Sequence, residues 1–258
     1  MPISSIYDQR YSGNYRQHLS GYEISRWKAL DHFITHVLKI GSSKKVLDYG
    51  AGSGLHVNLW EKVFSEAELH FSDISSVAME KFKLKYPCYA DRCDVISEGE
   101  GLSSFSDNIF DAIVSIEVME HVEDLDFYLR EISRLLKPGG YFVWTTPCAN
   151  QFSIEHVFSA IVGKIEQTKE GYRRWTWEDP THLRRLESNE IADLLRQKGF
   201  SDVHFRFRAH FFSFVCTYFP SNRAQGLRNW LMTLDYFLFR CLPNGASMIG
   251  GATKSLQP

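Results

Sequence analysis

Short apolar runs alternate with segments of helical periodicity between residues 46 and 147. Clusters of β-branched and aromatic residues predict buried strands in KKVLDYG, ELHFSDI, FDAIVSIEV and YFVWTT, and a weaker strand in CYADRCDV. Apolar positions three and four residues apart predict helices in LHVNLWEKVF, in SSVAMEKFKLKY and over Leu125, Tyr128, Ile132, Leu135 and Leu136. The third helix is expected to stop at LKPGG, where proline and glycine break the pattern. Strands that alternate with helices predict βαβ units and a mainly parallel sheet covered on both faces.

The second half of the chain has a different pattern. Periodicity is lost from residue 148 to residue 185, where aromatic and basic residues are frequent. A helix is predicted to begin at Ser188 and to end at Gly199. HFRFR alternates as a half-solvated strand does, and a short strand near residues 247–252 is expected to close the sheet. Residues 211–242, between these two strands, are dense in aromatic side chains.

Composition and charge exclude several classes of protein. With 258 residues, 44% apolar and 23% charged, the chain can bury a sizeable core and is neither disordered nor fibrous. A net charge of -2 gives no global basic field that would attract nucleic acid or acidic membranes. Five cysteines without a Cys-x-x-Cys pair favour a reducing cytoplasm over a disulfide scaffold or a zinc ribbon.

No targeting or membrane-spanning segment is predicted. The first residues, MPISSIYDQR, lack the apolar core of a signal peptide. The richest apolar run, Trp230 to Leu242, is interrupted by Asp235 and Arg240, and no run is long enough to span a bilayer.

A glycine-rich turn follows the first predicted strand in VLDYGAGSG, residues 46–54. Glycine tolerates positive φ and lets a ligand approach the backbone, and ligands of parallel sheets bind at the carboxyl ends of strands. The dinucleotide fingerprint is not met, because Gly54 comes one residue early and Leu55 takes the expected place, which disfavours a dehydrogenase. Asp48 precedes the turn and can hold a cationic group. The alternative is a tight strand-to-helix turn without a ligand.

Acidic residues end the next two predicted strands. A carboxylate roughly 20 residues after a glycine turn reaches the ribose hydroxyls of an adenosine ligand, and Asp73 stands at about this spacing. Asp94 ends the third strand and can accept a hydrogen bond from an adenine amino group. Each residue alone is better explained as a cap for the following helix, but their joint position favours a ligand.

These motifs, with SDIS, CDV, NIFDAIVSIEVMEHV, LKPGG and a late Gly-Phe pair, resemble those of class I S-adenosylmethionine-dependent methyltransferases. The closest likeness is to the type 11 methyltransferase domain of ubiquinone-biosynthesis-type O-methyltransferases, over about residues 27–207. The resemblance implies an α/β, Rossmann-like class I methyltransferase fold, in which a seven-stranded, mostly parallel sheet has an antiparallel last strand. It also implies the cofactor S-adenosylmethionine, held by Asp48, Gly50, Ala51, Gly52, Asp73, Ile74, Asp94, Val95 and Ile116.

The family assigns roles to these positions. The glycine turn with Asp48 cradles the methionine and ribose parts, Asp73 binds the ribose diol, and Ile74 lies against adenine. The pair Asp94 and Val95 flanks adenine, while Ile116 lies beside the cofactor. The resemblance also implies Gly54 in the cradle and Arg26 as a partner of the cofactor carboxylate.

The resemblance also suggests an organisation for the whole chain. Residues 1–40 are expected to form a helical lid or substrate segment, and residues 41–258 the methyltransferase domain. That domain carries a substrate-lid insertion at about 148–186 and an aromatic-rich insertion at about 211–244.

The chemistry is predicted to depend on the segment after the fourth strand. Transfer of a methyl group to a hydroxyl gains from a base or a metal that lowers the hydroxyl pKa. His121 and the distant His182 are the predicted bases or substrate contacts. The alternative is a divalent ion such as Mg, Mn or Zn, bound by Glu117, Glu120, His121 and His182. This set of residues resembles the metal site of small-RNA 3′-terminal 2′-O-methyltransferases. A third interpretation has Glu120 and His121 capping a helix, and a metal is not favoured.

Two aromatic segments are candidate lids. Arg173, Arg174, Trp175 and Trp177 either cover the substrate or form a solvated loop whose tryptophans pack on the domain. At four-residue spacing, Tyr7, Tyr11 and Tyr15 form either a helical lid or ordinary packing. The 211–242 segment is either core or an apolar wall for a lipid-like substrate, a dimer contact or a membrane-surface contact.

The sequence therefore predicts a cytoplasmic enzyme that methylates a hydroxyl oxygen of a small molecule, apolar or lipid-linked. A monomer or homodimer is expected, with peripheral membrane contact as a further option and nucleic acid not expected as a partner. Two alternatives stay open: a metal-dependent RNA 2′-O-methyltransferase and a non-catalytic scaffold of the same fold.

Overall fold

A seven-stranded sheet organises the part of the chain that the computed structural model describes, residues 2–13, 15, 18–218 and 224–256. Its strand order is β3-β2-β1-β4-β5-β9-β8, and β9 runs antiparallel to both of its neighbours. The predicted fold class is thereby confirmed. A hairpin of β6 and β7 forms a separate two-stranded sheet. The strands are β1 Lys45–Tyr49, β2 Glu68–Asp73, β3 Cys93–Val95, β4 Phe110–Ile116, β5 Leu136–Pro147, β6 Ile165–Gln167, β7 Arg173–Trp175, β8 Phe200–Arg208 and β9 Ser247–Lys254.

Helices cover both faces of the large sheet. They are α1 Ile3–Ser12, α2 Gly21–His32, α3 Val57–Val63, α4 Ser76–Lys85, α5 Leu125–Leu135, α6 Ile154–Ile161, α7 Ser188–Gln197, α8 Phe212–Tyr218 and α9 Gln225–Phe239. A π-helical turn, Phe33–Leu38, continues α2, and a 3-10 helix, Pro87–Arg92, precedes β3. None of the described helices is long and apolar enough to cross a bilayer. The predicted insertion at 211–244 includes residues 219–223, and the predicted lid at 1–40 includes residues 1, 14, 16 and 17, all of which lie outside the described residues.

Three features differ from the sequence-based prediction. Helix α5 ends before LKPGG as expected, but the strand β5 begins at Leu136 instead of Tyr141, because its pairing with β4 shifts register between Phe110 and Ala112 and accommodates the glycines. Helix α7 begins at Ser188 as predicted, but its cap is Glu187, in a capping box with Glu190, and its last residue is Gln197.

The third difference is the 148–185 segment, which contains α6 and the β6–β7 hairpin. The Ser153 side chain caps α6 by accepting a hydrogen bond from the His156 backbone N–H at 3.0 Å. Helix and hairpin are both too short to produce a period in the sequence.

Two apolar layers fill the space between the sheet and its helices. In the layer that contains α5 and α7, the buried Trp144 ring stacks on Phe142 with ring centroids 4.9 Å apart. Trp144 lies opposite Gly250 in the β5–β9 register, and a Cβ atom at Gly250 would overlap the indole. A glycine in β9 therefore makes room for the tryptophan of the neighbouring strand.

We expect Gly250→Ala to lower the free energy of unfolding by about 1–3 kcal/mol, the usual cost of overpacking a filled core. The control is Gly226→Ala in α9, where an added Cβ atom meets nothing within 4 Å. Chemical denaturation of both variants measures the difference, and equal stability of the two would contradict the packing argument.

Candidate active site

The glycine turn is tied to the edge of the sheet by backbone hydrogen bonds. The N–H groups of Gly50 and Ala51 donate to the Ser72 carbonyl at 2.8 and 2.9 Å. Gly50 has φ +94°, and a Cβ atom there would overlap the Val118 side chain. Both facts require glycine at this position, since the turn must bend sharply at the end of β1 while Val118 packs against it.

The Asp73 carboxylate at the end of β2 connects the turn to helix α4. Its Oδ2 accepts from the Gly52 N–H at 2.8 Å and its Oδ1 from the Ser75 N–H at 2.9 Å. Burial raises the pKa of Asp73 to about 6, although these backbone donors favour the charged form. Each oxygen keeps one lone pair, so the carboxylate can also accept from two neighbouring hydroxyls.

Asp48 lies below the turn and does not line the cleft above it. The Trp60 indole N–H donates to Oδ2 at 2.6 Å, and Oδ1 has no hydrogen-bond partner among the described residues. Burial raises the pKa of this carboxyl to about 7. The predicted role of Asp48 toward a ligand therefore stays a prediction, and its visible role is to hold α3 through Trp60.

The cleft above the turn contains about 700 Å³ of empty space, including the part open to solvent. Four predicted cofactor residues lie in its wall, together with tyrosines of the N-terminal segment. The lining residues are Ile3, Tyr7, Tyr11, Tyr15, Tyr49, Gly50, Asp73, Ile74, Ile96, Ile116, Glu117, Val118, His121 and Val122.

The other predicted cofactor residues lie beside the cleft. Ala51 is buried under the turn, and the Tyr11 hydroxyl packs against Gly52, where a Cβ atom would lie. Val95 is 47% exposed, and Ile96, which the sequence analysis missed, faces the cleft instead. Asp94 is half-buried, and burial raises its pKa.

Three predicted chemical groups meet at the wall of the cleft, which His121 lines. A carboxylate oxygen of Glu120 and one ring nitrogen each of His121 and His182 lie within 4.8 Å of one another. The His121 Nδ1 atom lies 3.1 Å from the Thr181 carbonyl oxygen, which can only accept, so this nitrogen carries the proton. In the neutral ring the other nitrogen, Nε2, is therefore the basic atom, and it lies 3.9 Å from Glu120 Oε1.

The buried Glu120 carboxyl is poorly satisfied. Thr146 donates to Oε2 at 3.0 Å, whereas Oε1 has no hydrogen-bond partner among the described residues. Burial, reinforced by the Glu117 charge, raises the pKa of Glu120 above its usual range. A neutral Glu120 would acquire its charge when a proton leaves the cluster or when a cation enters it.

His182 is held from behind by a buried acidic residue. Glu178 Oε2 lies 2.9 Å from His182 Nδ1 and also pairs with Arg185 at 2.8 Å. Burial opposes ionisation of Glu178, but these two partners outweigh it and lower its pKa to about 2. The same contact raises the pKa of His182 against the effect of burial, so this ring favours its protonated form more than a free histidine does.

Glu117, the fourth residue of the proposed metal set, points elsewhere. Its Oε2 pairs with the Arg26 guanidinium at 3.0 Å and its Oε1 accepts from the Thr145 hydroxyl at 2.7 Å. Arg26, predicted to meet the cofactor carboxylate, is buried in this pair at the edge of the cleft.

The predicted lid residues are mostly engaged in packing and ion pairs. Trp175 is buried under the Arg185 guanidinium, whose centre lies 4.8 Å from the ring centroid. Arg173 pairs with Glu187, and Arg174 approaches Glu166 at 3.9 Å. Trp177 is partly exposed and lines a second cleft, together with Tyr22, Pro147, Glu155, Arg185, Ala209, Ser213, Phe214 and Ala246.

Helix α1 covers the first cleft and is anchored at two points. Asp8 accepts from the Ser75 hydroxyl at 2.6 Å and the Val77 N–H at 3.2 Å, at the start of α4. Arg10 makes two hydrogen bonds to Asp179, at 2.7 and 2.8 Å. Neither partnership has a local sequence signal, because the partners are far apart in the chain.

Asp179 connects α1 to the histidine cluster. Its Oδ1 accepts from the Thr181 N–H at 2.9 Å and from the Thr181 hydroxyl at 2.7 Å. Thr181 in turn fixes His121 Nδ1. Closure of α1 and the orientation of the His121 ring are therefore linked through three residues.

The chain is similar to known proteins in sequence and in fold. A family described as a methyltransferase domain matches residues 19–205. A sterol 24-C-methyltransferase of Aspergillus fumigatus is 32% identical over 125 residues, covering 43% of this chain and 30% of that protein. A ubiquinone biosynthesis O-methyltransferase of Chromobacterium violaceum is 29% identical over 171 residues, covering 61% of this chain and 65% of that protein. This chain thus spans less than a third of the sterol relative.

The fold also recurs among solved structures. Phosphoethanolamine N-methyltransferase 2 of Haemonchus contortus, in complex with S-adenosylmethionine, superposes with a TM-score of 0.59 at 16% identity. The match covers 99% of this chain and 60% of that one. At this identity the likeness concerns the fold alone.

We expect Arg10→Ala to loosen α1 by about 1 kcal/mol, the scale of a partly exposed ion pair. Chymotrypsin should then cleave faster after Tyr7 and Tyr11, which stand on this helix. Arg92→Ala, which removes an exposed pair with Asp91, is the control. If Arg10→Ala and Asp179→Ala each accelerate cleavage and the double variant adds nothing, the pair is the anchor; unchanged cleavage would contradict it.

Proposed function

Because this chain belongs to the methyltransferase domain family, we propose that it transfers the methyl group of S-adenosylmethionine to a hydroxyl oxygen of a small molecule. The observation that carries the proposal is the position of His121. Its ring lines the cleft beside the glycine turn, and Thr181 holds its Nδ1 proton, so that Nε2 is a base. A hydroxyl acceptor needs such a base, since it must lose its proton during transfer.

The residues around the glycine turn fit the cofactor. Asp73 has lone pairs for the two ribose hydroxyls, Ile74 and Ile96 offer apolar surface for adenine, and Gly50 leaves the backbone accessible. When bound, S-adenosylmethionine supplies an electrophilic methyl carbon. The protein contributes alignment, exclusion of water by α1, and a place for the proton.

The histidine cluster handles that proton. His121 Nε2 takes the proton from the acceptor hydroxyl, and the ring becomes a cation. The Glu120 carboxyl beside it loses its own proton more readily as pH rises, and its negative charge then stabilises that cation. His182, fixed by Glu178, closes the cluster on the side of the 148–186 segment.

The acceptor is an apolar molecule in this proposal. The second cleft lies at the ends of β5 and β8, and Pro147, Trp177 and Phe214 contribute apolar surface to it. It neighbours the first cleft, because its Tyr22 ring lies under Arg26, which pairs with Glu117 in the wall of the first cleft. Two relatives, named for sterol and ubiquinone substrates, support the same class of acceptor. We place the enzyme in the cytoplasm as a monomer or homodimer, with no nucleic-acid partner.

A metal-dependent reaction is the second candidate, because one observation favours it. Glu120 Oε1 is buried with no hydrogen-bond partner in the described part of the chain, next to two imidazoles. Two histidines and a carboxylate suit Mn or Zn. Against it, Glu117 is engaged by Arg26 and Thr145, so the fourth expected ligand lies outside the cluster. Loss of activity on chelation, restored by one added metal, would decide for this candidate, and activity on RNA ends would extend it to RNA 2′-O-methylation.

We expect Asp73→Asn to weaken S-adenosylmethionine binding by about 1–3 kcal/mol, because an acceptor of charge-assisted hydrogen bonds is lost. The control, Asp91→Asn, changes an exposed carboxylate in the 3-10 helix before β3. Titration calorimetry measures both. Unchanged affinity in Asp73→Asn would contradict the ribose assignment, and a wild-type protein that binds no cofactor would favour the scaffold alternative.

We expect His121→Ala to lower kcat by about 100-fold or more, while the dissociation constant of the cofactor changes less than about threefold. The control is His204→Ala on the exposed side of β8. Single-turnover kinetics with labelled cofactor separates the two effects. Equal losses of binding and of transfer would mean that His121 is structural.

We expect kcat to rise with pH through the neutral range. Glu120 is neutral at low pH because burial raises its pKa, and its ionisation at higher pH stabilises the His121 cation. The isosteric Glu120→Gln variant should flatten this part of the profile. If Glu120→Gln showed the same rise of kcat with pH as the wild type, the rise would be assigned to another titrating group.

A further inference from the structure

Helices α6, α8 and α9 carry a continuous apolar surface that the rest of the described chain leaves open. We call it the apolar face. Its exposed members are Phe152, Ile154, Val157, Phe158, Ile161, Val162, Phe211, Val215, Leu227, Trp230, Phe237, Leu238 and Leu242. Contiguous exposed apolar patches of this kind mark interaction surfaces in soluble domains.

Contacts between the three helices make the face continuous. Phe158 of α6 and Phe214 of α8 have ring centroids 6.1 Å apart, and Phe212 of α8 lies 6.4 Å from Phe239 of α9. A small groove joins the three helices where Ile154, Phe211 and Leu242 share a wall.

Helix α9 is apolar on two sides. Met232, Asp235 and Tyr236 face inward and are buried. Leu227, Trp230 and Leu238 recur at helical spacing on the opposite side and are exposed. Since the core needs only one side and the described part of the chain leaves the other exposed, the second apolar side is available to a partner.

The charges on these helices indicate what that is. Their acidic residues are Glu155 and Asp235; the first pairs with Arg185 at 2.9 Å, and the second accepts from the His210 and Ser213 N–H groups. Neither offers a free negative charge. The described basic residues of this region are the exposed Lys164 after α6 and the half-buried Arg228 in α9 and Arg240 at its end. The guanidinium groups of the two arginines also donate to the Cys216 and Phe237 carbonyls, and that of Arg240 lies over the exposed Phe237 ring. An apolar face accompanied by basic residues is complementary to anionic lipid.

We propose that the apolar face binds the surface of an anionic lipid bilayer, with α6 and α9 lying in the plane of the head groups. A second copy of the chain fits less well, because a two-fold pairing of this face would bring the basic residues of both copies together. The two exposed tryptophans, Trp177 and Trp230, suit the interface, where one edge of the ring is apolar and the other is wet.

The face is continuous with the acceptor side of the molecule. Phe214 and Trp177 line the second cleft, and Phe214 also contacts Phe158 of the apolar face. A bilayer bound there would present lipids at the mouth of this cleft. This part of the inference rests on the proposed function, and it makes the methyl acceptor a lipid that enters sideways from the membrane.

The test is flotation of the full chain with two kinds of vesicle, phosphatidylcholine alone and equal parts of phosphatidylcholine and phosphatidylglycerol. We expect flotation with the mixed vesicles, a smaller fraction with phosphatidylcholine alone, and release by high salt. Ile161→Glu and Leu238→Glu, on two different helices, should each reduce binding at least tenfold. The control is Leu84→Glu on α4, because Leu84 is 82% exposed and Ile161 is 80% exposed.

Two results would overturn the proposal. One is wild-type protein that stays at the bottom of the gradient, and the other is equal binding by Leu84→Glu and the two face variants. Light scattering on the same samples shows whether the variants instead dissociate a dimer, which would assign the face to a second copy. Calorimetry with S-adenosylmethionine runs separately, so a chain that floats without binding the cofactor would contradict the proposed function and leave membrane binding intact.

Discussion

The buried Asp73 carboxylate is the constraint on which the cleft depends. It stands at the end of β2 and accepts from one N–H of the glycine turn and from another at the start of α4. Both donors are backbone groups that would otherwise be orphaned by burial, so removing the carboxylate would leave two unsatisfied donors as well as a cavity. The position of the turn, of α4 and of the cleft floor therefore follows from one side chain, and the same side chain faces the proposed ligand.

A second constraint links the cover of the cleft to its chemistry. Arg10 on α1 is joined through Asp179 and Thr181 to the His121 ring. The Arg10–Asp179 ion pair contributes modestly to stability, because it is partly exposed. The contact between Thr181 and His121 is buried and therefore more directional. This arrangement supports the catalytic proposal. The contact that fixes the His121 tautomer is linked to α1, so the base is oriented best when α1 encloses the cofactor.

The sequence predicted well the parts of the site that neighbouring residues determine. The strands, the glycine turn and Asp73 were found because their signals are local: apolar runs, glycines and an acid at a strand end. Long-range contacts escaped the same reasoning. No residue near Glu117 in the chain indicates that Arg26 binds it. The pleat of the three-residue strand β3 determines that Ile96, directly after it, faces the cleft and that Val95 does not. Capping and packing in the 148–185 segment likewise use partners too distant to produce a pattern.

The aromatic-rich segment shows how one insertion serves both the fold and an outside partner. Asp235 uses its carboxylate inside the protein, where it holds the starts of α8 and of the preceding turn, and it thereby leaves α9 without an exposed negative charge. That internal use also fixes which side of α9 faces the core, so the side carrying Trp230 and Leu238 must face outward. The outward side lies next to the cleft at the ends of β5 and β8, where the acceptor is proposed to bind. A methyl acceptor delivered from a bilayer would thus have no aqueous path to cross, which removes the main cost of handling an apolar substrate.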